Sequence, residues 1–128
     1  MDLNQITIPC QDYKKSVAFF IHLGLRQIVD SPPRYARFET ESGTTLSIHR
    51  VDSTRSNSDV VIYFEVENVD ESVERLERAG FEFESQPTDQ DWLWREAYLR
   101  DPFGNRLCIY HAGQNRQYPP WRIEGSAV

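Results

Sequence analysis

The sequence predicts an α+β fold built from two copies of one β-α-β-β-β module. Three observations support this prediction: short segments in which apolar residues alternate, two helical stripes that each end at a glycine, and the recurrence of these features at a shift of about 56 positions. The modules span about residues 1–55 and 58–112, and a tail follows at 113–128. We therefore expect one domain in which the strands of both modules pack under the helices.

The first module begins with a strand, because Ile6 and Ile8 alternate with polar neighbours. Asp12 is a suitable N-cap for the helix that follows, and Gly24 stands where helices commonly end in a left-handed residue. The predicted apolar stripe of this helix consists of Val17, Phe20, Ile21 and Leu23. Short strands separated by turn residues complete the module.

The second module repeats this order. Asp70 is predicted to begin the second helix and Gly80 to end it, with Val73, Leu76 and Ala79 as its apolar stripe. The two final strands are predicted on either side of the turn Asp101–Asn105. Apolar residues align with apolar residues throughout the repeat, which favours a duplication over chance similarity.

The side chains of each strand divide between two faces, because they alternate with a period of two. One face packs under the helices and is formed by Ile6, Ile8, Ala36, Phe38, Leu46, Ile48, Ile62, Phe64, Val66, Ala97, Leu99, Leu107 and Ile109. The opposite face is polar or aromatic and is formed by Gln5, Thr7, Tyr35, Arg37, Glu39, Ser47, His49, Val61, Tyr63, Glu65, Glu96, Tyr98, Arg100, Cys108 and Tyr110. Clustered tyrosines are costly to expose, so we expect this face to line a cavity.

Composition excludes several classes of function. The net charge is 14 − 20 = −6, which argues against binding to nucleic acid by phosphate neutralisation. No apolar run approaches the ~20 residues that a membrane span needs. The first residues do not resemble a signal peptide, and two cysteines do not form a secreted disulfide framework. We expect a cytoplasmic protein.

The sequence resembles the vicinal oxygen chelate superfamily, which includes glyoxalases, bleomycin-resistance proteins and extradiol dioxygenases. The resemblance covers residues 3 to about 111 and lies in the stretches Leu3–Ile8, Asp12–Leu25, Val69–Phe81 and Tyr98–Leu107, the last with its Asp-Pro-x-Gly-Asn turn. It implies paired βαβββ modules whose mixed sheets curve around a cavity, with helices on the outer face. It also implies a small-molecule ligand or substrate, and the homodimer that many members form.

Family members that use a metal place its ligands at four positions, which here are Gln5, Ser47, Val61 and Cys108. Valine cannot bind a metal, and one amide, one hydroxyl and one thiol suit a hard divalent ion poorly. We therefore predict no metal at the family positions and no assured cofactor. A displaced divalent metal site formed by His49, Glu65 and Cys108 is an alternative.

Metal-free chemistry is a further possibility. Glu65 in an aromatic cavity can have a raised pKa and act as a general base, with Arg37 or His49 stabilising an oxyanion. The predicted ligand-binding residues are Gln5, Thr7, Ser47, Tyr63, Trp94, Tyr98, Cys108 and Tyr110.

Two functions remain open at this point. The first is a glyoxalase-like lyase or isomerase, and the second is a metal-independent protein of the bleomycin-resistance type that sequesters an aromatic or cationic molecule. In the tail, Trp121 and Ile123 are predicted to pack over the cavity mouth or onto a neighbouring subunit.

Overall fold

The first repeat forms a four-stranded mixed sheet with one helix. Its elements, in a computed structural model that describes residues 1–124, are β1 (Gln5–Cys10), α1 (Tyr13–Leu23), β2 (Arg26–Ser31), β3 (Tyr35–Glu39) and β4 (Thr45–Arg50). The strand order is β1-β4-β3-β2, with β1 and β4 parallel and the other neighbours antiparallel. The predicted β-α-β-β-β order is confirmed.

The second repeat has the same element order. It consists of β5 (Val61–Glu65), α2 (Val69–Arg78), β6 (Thr88–Asp89), β7 (Arg95–Arg100) and β8 (Arg106–His111), followed by one 3₁₀ turn at Gly113–Asn115. Its sheet order, β5-β8-β7-β6, reproduces that of the first sheet. The predicted α+β class with two related modules is therefore confirmed.

The chain divides into two compact units. Unit 1 comprises Met1–Val60 together with Arg100–Arg106, and unit 2 comprises Val61–Leu99 and the chain from Leu107 onward. The turn between β7 and β8 thus belongs with the first repeat.

Helix α1 begins and ends as the sequence predicts. The Asp12 carboxylate accepts a hydrogen bond from the backbone N–H of Lys15, 3.1 Å away, and Gly24 has a φ of +120°. Phe20 is buried and packs against Phe38 at 5.7 Å between ring centroids. Ile21 was predicted in the same stripe and is exposed, since the next position is rotated by about 100° from the buried Phe20.

Helix α2 begins at Val69, and its N-cap lies two residues before the predicted Asp70. The Asn68 side chain accepts a hydrogen bond from the N–H of Glu71 and caps the helix, so the prediction that Asp70 begins it was wrong. Asp70 instead binds the Arg95 guanidinium of β7 through two bonds of 2.8 and 2.9 Å. Val73 and Leu76 are buried as predicted, whereas Ala79 lies at the C-cap and is exposed.

Strands β4 and β8 are buried on both faces. Leu46 and Ile48 face the helix side as predicted, but Ser47 between them is also completely buried. In β8 the whole run Leu107–Tyr110 is buried. Both strands lie inside their sheets, so side chains from neighbouring strands cover the face opposite the helix.

The Asp101–Asn105 turn is held by a buried carboxylate. Asp101 accepts hydrogen bonds from the backbone N–H groups of Phe103 and Asn105, at 3.0 and 2.8 Å, and from the Asn105 amide at 2.7 Å. The same amide donates to the carbonyl oxygen of Pro9 at 2.9 Å, which joins this turn to β1 within unit 1. Gly104, at a φ of +91°, lets the chain reverse inside this arrangement.

Replacing Asp101 by alanine should lower the free energy of unfolding by about 3 kcal/mol, because three buried donors lose a charged acceptor. Urea denaturation measures this loss. The matched control is Asp52→Ala, at a side chain that is 97% exposed, which should change stability by less than about 0.5 kcal/mol. Equal losses in the two variants would contradict the role assigned to the buried carboxylate.

Candidate functional site

A hydrogen-bonded chain of side chains crosses the polar face of the sheet in unit 1. Strand register places Thr7 beside Ser47 and Ser47 beside Arg37. Gln5 Nε2 donates to Thr7 Oγ1 at 3.1 Å and to Ser47 Oγ at 3.0 Å. Gln5, Thr7, Ser47 and Arg37, which were predicted to share this face, therefore do so.

Tyr35 is the residue that joins this chain to Arg37. Its hydroxyl lies 2.6 Å from Ser47 Oγ and accepts a hydrogen bond from Arg37 Nε at 2.9 Å. The hydrogen bond with Ser47, reinforced by the bond and the charge of Arg37, lowers the pKa of Tyr35 although the ring is partly buried. Sequence reasoning assigned Tyr35 to the polar face but gave it no role; its two-residue spacing from Arg37 was the available signal.

His49 follows Ser47 on the same strand face, but its side chain is exposed. Its nearest partners across the sheet are Pro9 and Tyr35. The catalytic role predicted for it stays a prediction.

Unit 2 carries an aromatic cluster on the equivalent face. The ring centroids of Trp94 and Tyr110 are 4.9 Å apart, and Tyr63 meets both rings edge-on at 5.7 and 5.2 Å. Cys108 is completely buried, and Trp94 and Tyr98 pack against the core group that contains it and Tyr110. Five predicted ligand-binding residues are thus brought together. Tyr63 and Trp94 keep part of their surface accessible.

Glu96 is a buried carboxylate beside this aromatic cluster. Its exposed fraction is 2%, and its oxygens accept hydrogen bonds from Trp92 Nε1 at 3.1 Å and from the Tyr98 hydroxyl at 3.0 Å. Both donors are neutral, and no ion pair of the described residues 1–124 includes Glu96. Sequence reasoning gave Glu96 no role, although its spacing from Tyr98 and Trp92 was visible.

Tyr98 and Tyr110 of unit 2 have raised pKa values. Burial, together with the Tyr63 hydroxyl and the Glu96 carboxylate, raises the pKa of Tyr98 far above its usual range. Burial and the charge of Glu65 raise the pKa of Tyr110 to about 12. These hydroxyls are therefore neutral hydrogen-bond donors near pH 7, in contrast to the more acidic Tyr35.

Glu65 has a different environment from the one expected. Its Oε2 accepts hydrogen bonds from the backbone N–H groups of Ala112 and Gly113, at 2.8 and 2.9 Å, and lies 3.7 Å from His111 Nδ1. Burial alone would raise the pKa of Glu65, but these donors outweigh it and lower the pKa. The prediction of a raised pKa was therefore wrong. Without a raised pKa, there is no longer a reason to expect Glu65 to act as a general base.

The side chains at the family's metal positions do not fit a divalent ion. Ser47 Oγ is already held by Gln5 and Tyr35, and the Cys108 thiol is buried in an aromatic surrounding. Val61 offers no ligating atom. Among residues 1–124, no group of three or more His, Cys, Asp or Glu side chains is placed to hold a metal ion. The displaced set of His49, Glu65 and Cys108 therefore gains no support in this part of the chain.

The large apolar side chains in the described part of the tail are mostly exposed. Trp121 is 56% exposed and Ile123 is 76% exposed, so the predicted packing of these residues over a cavity mouth was wrong for this chain by itself. An earlier part of the tail does contact the aromatic cluster, because Trp94 Nε1 donates to the carbonyl oxygen of Asn115 at 3.1 Å. Packing onto a neighbouring subunit stays a prediction, as does the homodimer.

Comparison with known proteins agrees with this fold. Residues 2–109 match the family model of the Glyoxalase/Bleomycin resistance protein/Dioxygenase superfamily. The chain belongs to this superfamily, as the resemblance implied. In the part of the chain that the structure describes, no helix is long and apolar enough to span a bilayer.

Individual relatives are similar over most of their length. The uncharacterized protein YraH of Bacillus subtilis (strain 168) is 32% identical over 125 residues, which cover 86% of this chain and 98% of YraH. A glyoxalase/bleomycin resistance protein/dioxygenase from Nocardioides has a TM-score of 0.78 at 22% identity, covering 96% of this chain and 89% of its own. The bleomycin resistance determinant encoded on the transposon Tn5 has a TM-score of 0.72 at 18% identity, covering 87% and 98%.

Replacing Glu65 by glutamine should make the protein less stable at neutral pH and less sensitive to acid. Because the folded pKa is lowered, the carboxylate contributes stability above the unfolded value of about 4.3, and this contribution is lost as the pH falls through the folded pKa. The side chain is 35% exposed, so we expect a loss of only about 1 kcal/mol at pH 7.

Urea denaturation of both proteins between pH 7 and pH 3 measures this difference. The difference in the free energy of unfolding between the two proteins should shrink towards zero as the pH approaches 3. Glu67→Gln, at an exposed position of the same segment, is the matched control. A difference that stays constant with pH would contradict the role assigned to the Glu65 carboxylate.

Proposed function

We propose that the protein binds a small organic molecule that carries a flat, positively charged group, and that it does so without a resident metal. The binding surface is the aromatic cluster of unit 2, formed by Tyr63, Trp94, Tyr98 and Tyr110. The observation that carries this proposal is the buried Glu96 carboxylate beside these rings, whose hydrogen-bond donors within residues 1–124 are all neutral.

The rings supply the contact surface. Aromatic faces attract cations through their quadrupole, and they stack on flat ligands at little entropic cost. The accessible parts of Tyr63 and Trp94 offer this contact. The buried Tyr110 packs against Trp94, with 4.9 Å between the two ring centroids. The high pKa of Tyr98 keeps its hydroxyl a donor to Glu96, so the carboxylate is held in one position.

Glu96 supplies the charge. A buried carboxylate without a cationic partner is unfavourable, because two neutral hydrogen bonds replace its hydration incompletely. A cationic ligand that reaches the rings next to it would relieve this cost. The same charge would disfavour anionic ligands at the cluster, which gives the surface a preference between ligands of equal size.

Binding without catalysis is the function that these contacts support best. The enzyme alternative depended on Glu65 as a base with a raised pKa, whereas Glu65 has a lowered pKa and is bound to Ala112 and Gly113. The resistance determinant among the structural neighbours makes sequestration of a toxic compound a reasonable biological setting. The lyase or isomerase alternative would regain support from turnover of a substrate.

A matched pair of probes tests the proposal. Phenyltrimethylammonium carries a flat ring and a cation, and tert-butylbenzene has the same shape without the charge. We expect the cation to raise the thermal stability of the protein, by about 2.7 kcal/mol at one hundred times its dissociation constant. The neutral isostere should bind more weakly, and Glu96→Gln should remove most of this difference.

The position of the site is tested by tryptophan variants. Trp94→Ala should weaken binding of phenyltrimethylammonium about tenfold, because one stacking partner is lost. Trp121→Ala, at an exposed position in the tail, should leave the affinity unchanged. Equal affinities for Trp94→Ala and the unmodified protein would refute the proposed surface, and equal binding of cation and isostere would refute the role of Glu96.

A further inference from the structure

The hydrogen bonds around Tyr35 in unit 1 have a direction that the structure determines. Thr45 Oγ1 donates to Gln5 Oε1, since an amide oxygen accepts hydrogen bonds and does not donate them. Gln5 Nε2 also lies 3.3 Å from the Ile6 carbonyl oxygen, which can only accept a hydrogen bond, so the orientation of the Gln5 amide is fixed. Its Nε2 group therefore faces Ser47 Oγ, 3.0 Å away, and donates to it.

Ser47 passes this direction on to Tyr35. The Ser47 side chain is completely buried, and its oxygen accepts from Gln5. Among the described residues, Tyr35 Oη at 2.6 Å is the acceptor in contact with the Ser47 hydroxyl hydrogen. If Tyr35 donated instead, that buried hydrogen would have no acceptor in these contacts, which native structures avoid. Ser47 is therefore the donor and Tyr35 the acceptor.

Tyr35 accepts a second hydrogen bond from Arg37 Nε at 2.9 Å. A phenol oxygen can accept two hydrogen bonds and donate one, so the hydrogen of Tyr35 remains for a further acceptor. Two donors also withdraw electron density from the oxygen, in agreement with the lowered pKa of this side chain. Among residues 1–124, no hydrogen bond or ion pair engages the two terminal nitrogens of Arg37.

We propose that Tyr35 and Arg37 form a binding site for the carboxylate group of a small organic acid. The Tyr35 hydroxyl donates to one carboxylate oxygen, and a terminal nitrogen of Arg37 donates to the other or to the same oxygen. Hydrogen bonds to a carboxylate are short and strong because the acceptor is ionised, and the Arg37 donor also carries the opposite charge. Gln5 and Ser47 do not touch the ligand in this proposal; they are positioning residues that keep the Tyr35 hydrogen available.

This site is independent of the function proposed above. It lies on the sheet of unit 1, takes a ligand of opposite charge, and uses none of the residues of the aromatic cluster. Either proposal can therefore fail while the other stands.

Benzoate and benzamide are suitable probes, since they share a flat shape and differ in charge. Isothermal titration calorimetry should show that benzoate binds and that benzamide binds at least about tenfold more weakly. Tyr35→Phe should weaken benzoate binding by about 10- to 100-fold, because it removes one hydrogen bond to a charged group. Tyr118→Phe, at an exposed tyrosine of the tail, is the matched control and should bind as the unmodified protein does.

A folding defect is separated from a binding defect by two measurements. Tyr35→Phe should keep its urea midpoint near that of the unmodified protein, and Trp94→Ala should keep its affinity for benzoate. Equal affinity for benzoate and benzamide would overturn the proposal. Unchanged benzoate binding by Tyr35→Phe would overturn it as well.

The positioning role of Ser47 has a readout of its own. In protein with carbon-13 in its tyrosine rings, the Tyr35 resonance should titrate at a higher pH in Ser47→Ala than in the unmodified protein. Arg26, Arg37, Glu39 and His49 carry the other charged or titratable groups that the neighbouring strands place on this face, so the comparison is repeated in His49→Gln. An unchanged Tyr35 titration in Ser47→Ala would show that Ser47 does not act on Tyr35.

Discussion

The burial of β4 and β8 on both faces is the constraint on which the other features depend. In the middle of each strand, the side chain on the face opposite the helix is buried against something other than the helix. In unit 1 this buries a hydroxyl, Ser47, which then requires hydrogen-bond partners. In unit 2 it buries a thiol, Cys108, which donates to the carbonyl oxygen of Ile109 at 3.8 Å and packs among aromatic rings.

The residues around these two buried positions make the two repeats chemically different. Around Ser47 the neighbouring strands supply an amide, a phenol and a guanidinium, which form a directed series of hydrogen bonds. Around Cys108 they supply rings that pack edge to face, with one carboxylate enclosed beside them. The tyrosines reflect this contrast: the pKa of Tyr35 is lowered, whereas that of Tyr110 is raised. One backbone plan has thus produced two surfaces that suit opposite charges.

Most of the fold was predictable because it depends on local patterns. Alternation in the strands, the Asp12 cap and the two glycines after the helices are properties of neighbouring residues, and all three agree with the structure. Asn68 was missed because asparagine and aspartate cap helices about equally well, and the sequence offered both within three positions. Ile21 was misplaced because an apolar side chain on the flank of a stripe does not by itself indicate which side is covered.

The sites were less predictable because they depend on pairing between strands. The sequence placed Tyr35 and Glu96 on the correct faces, but only the register shows that Ser47 lies next to Arg37 and within reach of the Tyr35 hydroxyl. The pKa of Glu65 was predicted in the wrong direction for a similar reason. Its two backbone donors come from residues 47 and 48 positions further along the chain.

The contact between the Ile6 carbonyl oxygen and the amide of Gln5 gives the first strand an influence over the Tyr35 hydroxyl. An amide nitrogen held in this direction donates to Ser47, so each hydroxyl further along the series points the same way. Rotating that single amide by half a turn would put an oxygen where Ser47 now meets a nitrogen, and the orientation of every later proton could then reverse. The Gln5 side chain thus determines the direction in which the hydroxyl groups of this series donate. Relatives with another residue at position 5 can share this fold while their hydroxyl groups donate in another direction.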